Sequence, residues 1–193
     1  MRITGGDLGG RSIVAPKNEG TRPTADATRE TLFNILQNGL GLEFCYTLDL
    51  FAGSGAVAFE TLSRGAQRSW LFESDRAALT AITKNAEALS LSAQIQVLRE
   101  SAVEKWPAAL KKSLAAGQLI DFVFADPPYG KGLAKRSFEV FARRGAELLS
   151  ESCHWAIEVA RDEAVPPAPE GWSLLRERSS GAAKIVVYRR GLS

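Results

Sequence analysis

Short apolar runs recur along the chain at intervals that leave room for a helix between them. Tyr46 to Phe51, Arg68 to Phe72, Gln94 to Leu98 and Ile120 to Ala125 each read as a buried strand. They alternate with segments near 55–64, 76–90, 102–116 and 133–149 whose apolar positions return at helical spacing. That alternation predicts an α/β fold, a parallel sheet with helices on both faces. The two ends of the chain break the rhythm. At the start, Met1-Arg2-Ile3-Thr4 faces Arg11-Ser12-Ile13-Val14 across a loop rich in glycine, which predicts a small β-hairpin. A helix then begins at Thr24 after Pro23 and carries Leu32, Ile35 and Leu36 on one stripe toward Gly39. At the other end, Trp155 to Val159 is followed by a proline-rich loop, Val165 to Gly171, and by strands at Trp172 to Arg176 and Lys184 to Tyr188. No helix fits between the last two, so they form a hairpin with an antiparallel strand. The expectation is seven strands, six parallel and the last antiparallel. Residues 1–40 form a hairpin and helix extension, and residues 41–193 form the main domain. Leu32, Phe33, Ile35 and Leu36 are assigned to the core, with Trp70, Trp106, Trp155 and Trp172.

Composition narrows the class without changing this picture. With 193 residues, 45% hydrophobic and 24% charged, the chain suits one well-packed domain with a small extension. No run has the apolar length of a membrane span, and Met1 to Gly6 lacks an apolar signal core, so the expected compartment is the cytoplasm. Two cysteines, Cys45 and Cys153, and one histidine, His154, supply neither a zinc cage nor a histidine-based triad. The expected chemistry therefore runs without metal. A net charge of +2 permits a nucleic-acid partner without requiring one. Lys131, Lys135 and Arg136 matter more, because they follow directly on the most unusual motif in the chain.

Leu48-Asp49-Leu50-Phe51-Ala52-Gly53-Ser54-Gly55-Ala56 puts a glycine turn between a strand and a helix. Such a turn lets backbone approach a ligand and presents the free N–H groups of a helix start. Glu73, twenty positions after Gly53, ends the next strand, where an acid meets ribose hydroxyls. Gly53-x-Gly55-x-x-Ala58 equally satisfies a dinucleotide pattern, and a nicotinamide-dependent oxidoreductase stays open on these residues alone.

The second element is Asp126-Pro127-Pro128-Tyr129, which follows the strand Ile120 to Ala125. Two prolines stiffen the turn and remove its N–H donors. What remains is a pair of acceptors, the Asp126 carboxylate and the Pro127 carbonyl, matched to an amino group with two hydrogens. Tyr129 adds a flat face for a base, a contact worth about 1–3 kcal/mol. An exocyclic amine on a planar base fits these parts. Its lone pair is delocalised into the ring, and acceptors that draw its hydrogens out of plane would localise that pair toward an electrophilic methyl. The cofactor this implies is S-adenosylmethionine.

With these motifs in view the sequence resembles the bacterial 16S ribosomal RNA guanine-N2 methyltransferases of the RsmD type over nearly its whole length. The resemblance is carried by Ile3-Thr4-Gly5-Gly6 with Gly10-Arg11, by Gly20-Thr21-Arg22-Pro23-Thr24-Ala25-Asp26, and by Arg29-Glu30-Thr31-Leu32-Phe33-Asn34. The glycine turn, Glu73-Ser74-Asp75-Arg76 and Asp126 to Tyr129 complete it. It implies a Rossmann-like class I methyltransferase fold and transfer of a methyl group from S-adenosylmethionine to N2 of a guanine in 16S rRNA. An N6-adenine amino-methyltransferase is the alternative. Carried over by motif, Asp49, Ala52, Gly53, Ser54 and Gly55 line the methionine end, and Glu73 with Ser74 the ribose. Ser101 and Ala102 stand where the adenine amine is met, Arg22 and Thr24 reach the cofactor's carboxylate or the site mouth, and Asp126, Pro127, Pro128 and Tyr129 hold the target base. Lys131, Lys135, Arg136 and Arg11 are expected to contact RNA. The implied partner is 16S rRNA in a small-subunit assembly intermediate, met by a monomer.

Overall fold

The computed structural model describes residues 1–16, 23–100, 102–103 and 105–191, without the side chains of residues 23–25. Helix α1 (Pro23–Phe33) continues into a π-helical stretch, Asn34–Gly39. Strands and helices then alternate: β1 (Tyr46–Leu50), α2 (Ala56–Ser63), β2 (Arg68–Phe72), α3 (Arg76–Leu89), β3 (Ile95–Leu98), α4 (Trp106–Ser113), β4 (Ile120–Ala125) and α5 (Leu133–Arg144). The chain closes with β5 (Leu149–Ala160), β6 (Trp172–Ser180) and β7 (Ala183–Arg190). One sheet holds all seven strands in the order β3-β2-β1-β4-β5-β7-β6. β7 runs antiparallel to both its neighbours and the other pairings are parallel. Six strands therefore share one direction, as the hydrophobic pattern predicts.

The strand order reverses between β1 and β4, whose outgoing loops lead away to opposite sides. Such a switch point opens a crevice at the carboxyl ends of the strands. Registers fix what lies there. Leu50 pairs with Ala125, and Ala125 with Ile157, so Phe51, Asp126 and Glu158 stand level on three adjacent strands. At the opposite end of β4, the Asp121 carboxylate accepts the N–H groups of Cys45 and Tyr46 at 2.8 and 3.0 Å and ties down the start of β1.

The core lies in two layers, one on each face of the sheet. One face packs Leu36, Phe59, Leu71, Ile82, Phe122 and Val187. The other packs an aromatic cluster of Trp70, Trp106, Phe138, Phe141, Trp155 and Tyr188, with half-buried Trp172 against it. Leu32, Phe33 and Leu36 are buried as expected, while Ile35 is only partly covered.

The N-terminal hairpin is narrower than a regular ladder. One antiparallel bridge, Arg2 to Ser12, is flanked by backbone bonds from Ile3 to Arg11, Gly10 to Ile3 and Ile13 to Met1. It is held to the domain by Glu60 of α2, which is fully buried. That carboxylate accepts from the Thr4 N–H at 2.8 Å, the Thr4 hydroxyl at 2.7 Å, Arg29 Nε at 3.3 Å and Arg64 Nη2 at 2.8 Å. Arg29 is itself buried and donates onward to Asp26 and to the Arg2 carbonyl. Two guanidiniums on one carboxylate compensate the burial of the charge, and removing one partner of such a pair costs about 3–5 kcal/mol.

Several element boundaries differ from the pattern-based expectation, and β6 runs on to Ser180 where Arg176 is the expected end. α4 is shorter than 102–116, because Pro107 favours a first-turn position and sets the start near Trp106. α5 stops at Arg144 and not 149, and β5 begins at Leu149, well before Trp155. Gly145 sits between them because a Cβ there would stand 2.3 Å from Trp106 Cη2. The last turn and a half of the first helix is π-helical, which the apolar spacing alone does not distinguish from α.

Candidate active site

Strand alternation sends Leu48 and Leu50 to the aromatic face and Asp49 to the other, beneath the start of α2. Asp49 is 3% exposed. The backbone N–H of Ala58 favours its ionised form, yet among the described residues its Oδ1 has no partner. Burial pushes its carboxyl up to about 8, against the Ala58 N–H and with the repulsion of Glu73. A buried acid with an unanswered oxygen is costly alone and becomes favourable beside a cation.

The turn that follows is tightly wound. Phe51, Gly53 and Gly55 all have positive φ, 69°, 54° and 78°. For Phe51, a bulky residue, this is backbone strain of a kind that clusters at ligand sites. The turn is held from outside. Ala52 donates to the Phe72 carbonyl at 3.0 Å and Gly53 donates to Glu73 Oε2 at 2.8 Å. Asn85 of α3, 2% exposed, donates to the Ser54 carbonyl and also grips Val14 through both its N–H and its carbonyl. One buried amide thus joins the turn, α3 and the N-terminal hairpin.

The crevice holds a cavity of about 240 Å³. Of the residues expected to bind cofactor or base, Asp49, Ala52, Gly53, Ser54, Asp126 and Tyr129 line it. Tyr129 is half-buried and donates its hydroxyl to Glu158 Oε1 at 2.6 Å. Asp126 is exposed at the rim, Pro127 is buried and Pro128 exposed.

The remaining expected residues stand elsewhere. Gly55 opens α2, and a Cβ there would meet the Phe59 ring at 2.7 Å and Leu71 at 3.2 Å, so this glycine permits close packing beneath the turn. Glu73 does not line the cavity; its carboxylate receives three backbone N–H groups, from Gly53, Ser74 and Asp75. Ser74 is exposed, while Ala102 is packed beside Trp106 in the aromatic layer. Arg22 and Ser101 lie outside the described residues, as does the side chain of Thr24 in the first turn of α1. Lys131, Lys135, Arg136 and Arg11 are exposed and none lines the cavity. Lys131 follows the tyrosine loop directly, and Lys135 approaches Glu139 at 3.9 Å. Among the described residues no group of His, Cys, Asp and Glu could hold a metal ion, and no helix is long and apolar enough to cross a membrane.

Several lining residues escape the sequence reading: Thr28, Arg29, Phe51, Ala183 and, above all, Glu158. The clue to Glu158 is a charge between buried Ile157 and Val159 near the end of a strand. Arg29 belongs to the Arg29 to Asn34 motif, and the Glu60 network gives that motif a structural reason.

Known proteins resemble this chain over nearly its whole length. The family model described as conserved hypothetical protein 95 matches residues 1–189. Ribosomal RNA small subunit methyltransferase D of Escherichia coli is 34% identical over 98% of this chain and 90% of its own length. The protein of that name in Haemophilus influenzae is 33% identical over 98% and 92%. A solved Escherichia coli structure superposes with a TM-score of 0.79 at 32% identity, covering 100% of this chain and 99% of that one. The chain therefore belongs to the family described as conserved hypothetical protein 95 and to that of the ribosomal RNA small subunit methyltransferase D proteins.

Proposed function

We propose that the chain transfers a methyl group from S-adenosylmethionine to the exocyclic N2 of a guanine in 16S ribosomal RNA, acting in the cytoplasm as a monomer on a small-subunit assembly intermediate. The carrying observation is a single cavity lined by Asp49 and the glycine turn on one side and by Asp126 and Tyr129 on the other. Family membership supports the class of reaction.

The buried Asp49 fits the α-ammonium at the cofactor's methionine end, because its Oδ1, without a partner among the described residues, can accept from a positively charged donor. When bound, S-adenosylmethionine supplies an electrophilic methyl on a sulfonium. Gly53 and Ser54 bring backbone close to it, and Glu73 has about one lone-pair site left for a ribose hydroxyl after its three backbone bonds. Arg22, Thr24 and Ser101 keep their motif-based roles at the cofactor's edges, whereas Ala102 packs in the aromatic layer. On the base side Tyr129 stacks, and the Asp126 carboxylate and Pro127 carbonyl take the two amine hydrogens. As the amine gains its methyl it releases one proton, for which the exposed Asp126 offers a path to solvent. Holding amine and methyl in line supplies much of the acceleration, for which orientation is worth up to about 7–11 kcal/mol. Residues 1–40 act as an extension that completes one wall, through Met1, Thr28, Arg29 and Leu32. Lys131, Lys135, Arg136 and Arg11 meet RNA phosphates.

Incubation with labelled S-adenosylmethionine and either naked 16S RNA or assembly particles tests this reading. Label should appear on guanine N2, more on particles than on naked RNA. Label on adenine would favour the N6 alternative.

A further inference from the structure

Glu158 lines the cavity, stands level with Asp126 on the adjacent strand, and has Oε1 held by the Tyr129 hydroxyl at 2.6 Å. A bond of that length to a carboxylate is charge-assisted and fixes the side chain's direction. Nothing in the methyl-transfer chemistry above uses this acid. We infer that Glu158 selects the target base, its carboxylate accepting the ring N–H that lies beside the reacting amine; the inference rests on the guanine reading.

The chemistry of the bases makes the choice. Guanine, adenine and cytosine all carry an exocyclic amine that Asp126 and the Pro127 carbonyl can hold. Guanine alone has a ring N–H, N1–H, next to that amine; adenine presents the N1 lone pair there, and cytosine the N3 lone pair. A carboxylate beside Asp126 is thus matched by guanine. Against adenine or cytosine it is set lone pair to lone pair, a repulsion that the Tyr129 hydroxyl on Oε1 does not relieve. A site built to hydrogen-bond a substrate N–H discriminates strongly against an analogue without it, because its own polar group is stranded. Two acids level at the strand ends therefore divide the work: Asp126 holds the amine, and Glu158 reads its neighbour.

The test compares guanine with 2-aminopurine, which keeps the 2-amine but has a lone pair at N1, placed at the modified position of 16S RNA by ligation. Single-turnover methyl transfer is measured for the wild type and Glu158→Gln. The amide oxygen of Gln still accepts from Tyr129, while its NH₂ offers a donor to N1. The wild type should prefer guanine by roughly 10²-fold, and Glu158→Gln should reduce that preference at least about tenfold, with unchanged S-adenosylhomocysteine affinity. The contribution of O6, also absent from 2-aminopurine, cancels when the two preferences are divided. An unchanged preference in Glu158→Gln, or equal loss on both bases, would overturn base selection by Glu158. A wild type that methylates no guanine would instead sink the guanine reading, a result distinguishable from either.

Discussion

Asp49 carries the sharpest single-residue consequence. Its carboxyl is raised from 3.8 to about 8 chiefly by burial. Between those values the folded chain keeps a proton that the unfolded chain has released, so this residue lowers stability as pH rises through that window. Asp49→Asn removes the penalty. Its melting temperature relative to the wild type should climb between pH 5 and pH 8, while S-adenosylhomocysteine affinity falls. In the wild type, that affinity should weaken as pH drops below 8, because the α-ammonium of S-adenosylhomocysteine needs the ionised form of Asp49 beside it. Calorimetry across pH checks both, and a flat difference in melting temperature would mean that Asp49 is not buried as a protonated acid. Tyr129 has two tasks, stacking and holding Glu158. Tyr129→Phe should keep cofactor affinity yet lower single-turnover rate several-fold, and Tyr129→Ala should lower it further. Equal rates for the wild type and Tyr129→Phe would leave the Glu158 contact without a catalytic consequence.

At the scale of elements, the β1–α2 unit and the hairpin packed on it form one mechanical piece. Gly55→Val forces a branched side chain toward Phe59 and into a left-handed backbone. It should therefore destabilise the fold as well as abolish cofactor binding, which chemical denaturation separates from a pure binding defect. Arg29→Met leaves Glu60 with one guanidinium fewer and should cost about 3–5 kcal/mol. A loss below about 1 kcal/mol would show that Arg64 and Thr4 suffice. The strands were legible because apolar runs ended by glycine, proline or an acid have few alternative readings. The early half of β5 was not, since Ser150-Glu151-Ser152 is polar, and its place in the sheet is set by neighbours distant in sequence. Asp49, Gly53 and the Asp126 to Tyr129 turn were legible because each sits in a compact local motif. Glu158, Asn85 and the Arg29–Glu60 pair were not, because each acquires meaning only from a partner more than twenty residues away.

For the whole molecule, a nearly neutral chain must gather charge locally to hold RNA. Lys131→Ala with Arg136→Ala should weaken RNA binding and leave S-adenosylhomocysteine binding unchanged. If each meets a phosphate, the slope of log affinity against log salt should fall by about 0.7 per contact on single strands. An unaltered slope would place the RNA path elsewhere. Methyl transfer is assigned to one cavity at the switch point of the sheet. Single-turnover transfer to 16S RNA by Asp126→Ala, with the product mapped by mass spectrometry, tests it most directly. The expected outcome is N2-methylguanosine at one position with the wild type and a rate about 10²–10³ lower with Asp126→Ala, at undiminished S-adenosylhomocysteine affinity. A wild-type rate in Asp126→Ala would contradict it.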